Sequence, residues 1–202
     1  MPWILLALAL LFALSGGGDV VIDVARRGRR LTDAPGETEE TPDALAAAAG
    51  AVVGREVTPE AYVLARMLRS EAGSGNLVHK SAVAHVALND ANEHGWSLLH
   101  TLMVHNDGDR LGAQRGGRYA TSRDPYEVDL EVAEAVMGGR LADPTNGAVK
   151  FVHVSAFGVQ PGTTTFDDVV VRWAREGLVP SEVDGAGSDL RVFRRQPATG
   201  VS

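Results

Sequence analysis

The chain has 202 residues, enough for one ordinary domain with tails and a buried core. Its 19 basic and 26 acidic residues leave a net charge of -7, which argues against a nucleic-acid partner, because phosphate neutralisation needs a basic surface. The hydrophobic share of 45% is that of a folded protein, and the lack of cysteine excludes disulfides and thiolate chemistry.

An apolar run from Trp3 to Leu14 opens the chain and ends at Ser15-Gly16-Gly17-Gly18. About twelve helical residues reach roughly 18 Å, short of the ~30 Å bilayer core. The run has the length of a signal h-region, with small residues at Ala13-Leu14-Ser15, but no Lys or Arg precedes it. Read as an anchor, it continues through Val20, Val21 and Ile22, and the cluster Arg26, Arg27, Arg29, Arg30 suits a cytoplasmic flank or anionic headgroups. Residues 1–24 are therefore expected to be a signal or a membrane anchor, with the anchor fitting better. Either places the protein in the cell envelope, anchored or exported.

Residues 25–57 read as a basic cluster and an acidic, turn-rich linker, with a short Ala-rich helix over Pro42 to Val53 packing on the domain. The compact domain is expected over 58–196 and a frayed tail over 197–202. Thr58-Pro59 supplies an N-cap and a proline at the first helical position, and that helix runs to about Glu71, before Gly73-Ser74-Gly75. A second helix, about Leu77 to Ala91, is apolar on most faces, as a central buried helix would be. A shorter segment follows over Ser97 to Val104, then a glycine-rich loop over Asn106 to Arg123. Asp124-Pro125 opens another helix, closed by Gly138-Gly139. Alternation around Val149, Phe151 and Val152 predicts an extended segment, Thr165 to Asp168 starts a last helix with an acid at N3, and Leu190 to Phe193 reads as a closing strand. The fold class is mainly α with a small extended element, preceded by the hydrophobic segment.

Glu71 is the residue with the most chemical content. Leu64, Leu68 and Glu71 are spaced four and three apart, so they share one helix face, the buried one. A carboxyl group there loses solvation in its charged form and faces the negative end of the helix dipole; both effects raise its pKa. A carboxylic acid kept protonated near neutral pH can protonate a glycosidic oxygen. On composition alone, a glutamate in a last helical turn more often points to solvent.

The local words decide between these. Ser70-Glu71-Ala72-Gly73, the helix Ala82-Val83-Ala84-His85-Val86-Ala87-Leu88-Asn89 and the segment Gly139-Arg140-Leu141-Ala142-Asp143-Pro144-Thr145-Asn146-Gly147-Ala148 occur in that order. Together they resemble the cell wall hydrolase family of spore cortex-lytic enzymes, over about Ala61 to His153. In that family a catalytic Glu followed by Ala ends one helix, an Ala-Val-Ala-x-Val-x-Leu-Asn helix follows at the same offset, and a Gly-x-x-x-Asp-Pro-Thr-Gly-Gly-Ala segment comes later. The chain departs from the pattern in four places. Gly75 stands where the family has a second acidic residue, His79-Lys80 replace a Gly-Gln pair, and Asp90 replaces an Arg. Arg118-Tyr119-Ala120-Thr121 is a loose counterpart of a Gln-Phe-Ser motif. These departures suit a distant, phage- or virion-associated relative better than a sporulation enzyme.

The resemblance implies a lysozyme-like domain and a lytic transglycosylase acting on peptidoglycan, with Glu71 as acid and base and a 1,6-anhydro product. A hydrolase needs a second carboxylate. Asp90, Asp107, Asp109 and Asp124 are available, but turn formation and capping explain the last three. Substrate contacts are expected from Gln114, Tyr119 and Thr121 in the glycine-rich loop, although a tyrosine there equally suits a lid over the core. They are also expected from Asn89, Thr145 and Ala148, for which a structural cap and a tight turn are the alternatives. The histidines at 79, 85, 100, 105 and 153 show no metal-ligand spacing, so neither a metal nor another cofactor is expected. A muramidase giving reducing ends, and a non-catalytic wall-binding or virion structural protein, are the competing readings. Membrane or virion components are expected partners of the N-terminal segment.

Overall fold

The structure, a computed structural model, describes residues 41–73, 75–103, 124–157 and 164–196. The expected hydrophobic segment 1–24, the basic cluster, the glycine-rich loop and the tail lie outside the described residues. The described part is mainly helical with one three-stranded sheet. Among the described residues no helix is long and apolar enough to cross a membrane.

Helix α1, Pro42–Val53, starts on the Thr41 hydroxyl, which accepts the Ala44 amide, and stops at Gly54 with φ 73°. It inserts Leu45, Ala46 and Ala49 into the main core. Helix α2, Pro59–Glu71, begins as expected, with the Thr58 side chain accepting from Ala61 N–H. Its Tyr62, Leu64 and Leu68 are fully buried. Helix α3, Leu77–His94, runs one turn further than its apolar pattern, ending at Gly95 with φ 68°. Every residue from Lys80 to Ala87 is buried, because α2, α5, β1 and the short helix α4, Leu98–Met103, pack around it.

Helix α5 covers Glu127–Met137 rather than starting at Asp124-Pro125. Asp129, at the third helical position, reaches back to accept the Tyr126 amide at 2.9 Å, and this cap outcompetes the proline signal. Helix α6, Phe166–Arg175, has the expected capping box of Thr165 and Asp168. Strands β1 (Ala148–His153), β2 (Leu178–Ser181) and β3 (Leu190–Arg195) form an antiparallel sheet in the order β1-β3-β2. Between the sheet and α6 a second cluster forms from Val149, Val169, Trp173, Leu178 and Phe193, with the Trp173 and Phe193 rings edge-on at 4.6 Å.

Candidate active site

Glu71 is the last residue of α2 and is half-buried, while Leu64 and Leu68 on its face are fully buried. The Ala72 amide closes the helix on Leu68 O at 2.9 Å, and Gly75 N–H returns to Ala72 O at 2.6 Å. Gly73 turns the chain between them at φ 47°, a conformation that costs little only without a Cβ. Asn76 then caps α3, accepting from His79 N–H at 2.9 Å and donating to Gly185 O at 2.7 Å, which ties the loop between β2 and β3 to this end of the molecule.

The same geometry favours glycine at position 75. A Cβ at this position would stand 2.7 Å from Ala72 O and 3.0 Å from the His79 ring, so a side chain needs the turn or the ring to move. The His79 ring stacks on His153 at 5.2 Å, and His153 Nδ1 lies 3.4 Å from Asp189 Oδ2. Ser155 holds Asp189 through its amide and hydroxyl at 2.7 and 2.9 Å. Neither His79 Nε2 nor His153 Nε2 meets a hydrogen-bond partner among the described residues.

Burial pushes the His79 imidazole below its ordinary value, His153 and Lys80 push the same way, and Asp189 and the Ala186 backbone oppose them. Burial also lowers His85, whose Nε2 sits 3.1 Å from Leu141 O, against the pull of Asp143 and that carbonyl. Both groups favour the neutral form in the fold, so the unfolded chain binds more protons below its own pKa of about 6.5. Their contribution to stability is complete above that value and is lost as pH falls through it toward the folded pKa. Urea unfolding should show a falling midpoint from about pH 7.5 to about pH 5.5, and replacing both histidines by Gln should flatten that slope. A slope unchanged by the double replacement would refute the assignment.

Three of the expected substrate contacts, Asn89, Thr145 and Ala148, come together. Asn89 Nδ2 donates to Asp143 Oδ2 at 3.0 Å, Ala148 O at 3.0 Å and Thr145 Oγ1 at 3.4 Å. Among the described residues Asp143 accepts four hydrogen bonds: from the Thr145 amide and hydroxyl, Gly147 N–H and Asn89. Burial alone would raise this carboxyl, but these bonds outweigh it and hold the carboxylate below its ordinary value. Asn146 and Gly147 both take positive φ, 53° and 78°, the conformation that the Asn-Gly pair tolerates. These are the bonds of a tight turn docked on α3, with Thr145 and Ala148 buried. Asn89 lies roughly 18 Å along α3 from the end next to Glu71.

Gln114, Tyr119 and Thr121 lie outside the described residues. Sequence reasoning passed over a buried ion pair, Lys80 Nζ to Asp129 Oδ1 at 2.6 Å, in which the same ammonium donates to Gly73 O at 2.8 Å. Its one signal was a lysine in an otherwise apolar helix face. Among the described residues no group of three metal-ligating side chains converges. A groove lined by Asp43, Arg55, Glu56 and Pro59 lies at the opposite end of α2 from Glu71. No family model, curated protein or solved structure matches the chain.

Proposed function

We propose that this protein is a peptidoglycan lytic transglycosylase with a lysozyme-like domain and Glu71 as its single acid and base. The setting of Glu71 carries the reading: a half-buried glutamate at the end of α2, in line with the buried Leu64 and Leu68 and followed by a tight turn. The resemblance of that stretch to the cell wall hydrolases supplies the substrate class. A mainly helical body with a small sheet is compatible with both.

The chemistry needs one carboxyl group. Protonated Glu71 gives its proton to the glycosidic oxygen between N-acetylmuramic acid and N-acetylglucosamine as the bond to the muramic C1 breaks. The resulting carboxylate takes the proton of the muramic 6-hydroxyl, whose oxygen closes on C1 to leave a 1,6-anhydro end. No water is consumed, so no second carboxylate is required. Two buried or half-buried acids are already engaged: Asp129 is paired with Lys80, and Asp143 is committed to its turn. The residues of the glycine-rich loop would lie along the glycan. The N-terminal segment would hold the enzyme at a membrane or in a virion.

Mass spectrometry of muropeptides released by the full chain tests the reading. Anhydro-muramic ends are expected. Reducing ends would make the enzyme a muramidase, and no release at all would overturn both in favour of a non-catalytic wall-binding protein.

A further inference from the structure

We propose that the buried Lys80–Asp129 pair is a positioning device for Glu71, holding the turn that follows it; the inference rests on the reading of Glu71 as the acid. The pair joins three elements. Lys80 on α3 donates to Gly73 O, two residues after Glu71, and to Asp129 Oδ1 on α5. The other Asp129 oxygen accepts the Tyr126 amide at 2.9 Å. Tyr126 in turn receives Arg69, two residues before Glu71, through a 3.2 Å bond to its hydroxyl and a guanidinium 4.1 Å above its ring. The chain is thus gripped on both sides of Glu71, and both grips end on the start of α5.

Stability is a poor explanation for such a pair. Asp129 is fully buried and Lys80 is 6% exposed, and taking two charges out of water costs about as much as their attraction returns. What an apolar pair of the same size cannot do is hold a carbonyl. The end of α2 leaves carbonyl groups without helical partners, and the glycines at 73 and 75 leave the turn few side-chain contacts of its own. Lys80 supplies the missing donor and fixes where the helix ends, and with it where the Glu71 side chain starts. A carboxyl that must meet first a glycosidic oxygen and then a hydroxyl tolerates little displacement.

The test separates position from stability. In the full chain, Lys80→Met with Asp129→Leu replaces the pair by apolar groups, and thermal unfolding should fall by no more than the few degrees that the lost α5 cap accounts for. Turnover of soluble glycan strands should nonetheless fall at least tenfold in kcat, with KM within about twofold. In the free protein, exchange of the Ala72 and Gly75 amides should speed up about tenfold or more while the α3 core amides keep their protection. Asp129→Asn can keep the cap but turns its NH2 toward the Lys80 ammonium, so it should shift both readouts in the same direction, and it decides the matter if the double variant does not fold. Wild-type kcat in either variant, or amides as protected as in wild type, would overturn the proposal. If the wild-type protein cleaves no glycan, it is the reading of Glu71 that fails, while amide exchange still decides whether the pair holds the turn.

Discussion

Glu71→Gln is expected to abolish clearing of peptidoglycan, lowering the cleavage rate by about 10³-fold or more, with unfolding free energy changed by no more than about 1 kcal/mol. The size of the effect follows from the same group acting twice. A glutamine can neither give a proton to the leaving oxygen nor take one from the 6-hydroxyl, and each transfer is worth roughly 10²–10⁴-fold. The small structural effect follows from the site: the side chain is half-buried at a helix end, and the amide has nearly the same volume. Turbidity loss of purified sacculi together with a urea titration checks both halves. Activity within tenfold of wild type in a folded variant would remove Glu71 from the mechanism, and with it the proposed function.

Asp129→Ala should cost about 3–5 kcal/mol, the largest single-residue effect on stability expected outside the apolar core. Asp129 is fully buried, and it is the counter-ion of Lys80 as well as the cap of α5. Removing it leaves an ammonium in a dry site with only Gly73 O as a partner among the described residues. Chemical denaturation should therefore show a marked fall in midpoint with little change in slope. The single truncation should be far worse than the paired replacement by Met and Leu, because the harm lies in stranding a charge rather than in losing an attraction. A loss below about 1 kcal/mol would mean that the ammonium finds another way to stay solvated.

Much of the helical framework was legible because its signals are local. Thr58-Pro59 and Thr165 with Asp168 fix helix starts through bonds spanning three residues, and both appear in the structure. Strand β2 was not legible: Leu178–Ser181 is four residues long and contains Pro180, which suits an edge position but disguises a strand. Its place beside β3, and the place of β3 between the two others, depend on pairings between distant segments that no local pattern encodes. The same holds at the site. Glu71 was singled out from helical spacing together with the motif resemblance, whereas Lys80 and Asp129 are 49 residues apart and meet only when α3 and α5 pack. Asn89, Thr145 and Ala148 were each singled out, but that they bind one another follows from the docking of the turn on α3.

The middle strand of the sheet comes last in order of synthesis. Leu190–Arg195 pairs with β1 on one side, where His153 faces Leu190, and with β2 on the other, where Leu178 faces Arg195. A nascent chain that has emerged only as far as Asp189 therefore has two strands with nothing between them, and it exposes the apolar side of β1 and the ring of Trp173 that Phe193 later covers. The helices can assemble before that, but the sheet half of the molecule must wait for Leu190–Arg195 to emerge. Until then it is the part most open to wrong partners, proteases and chaperones.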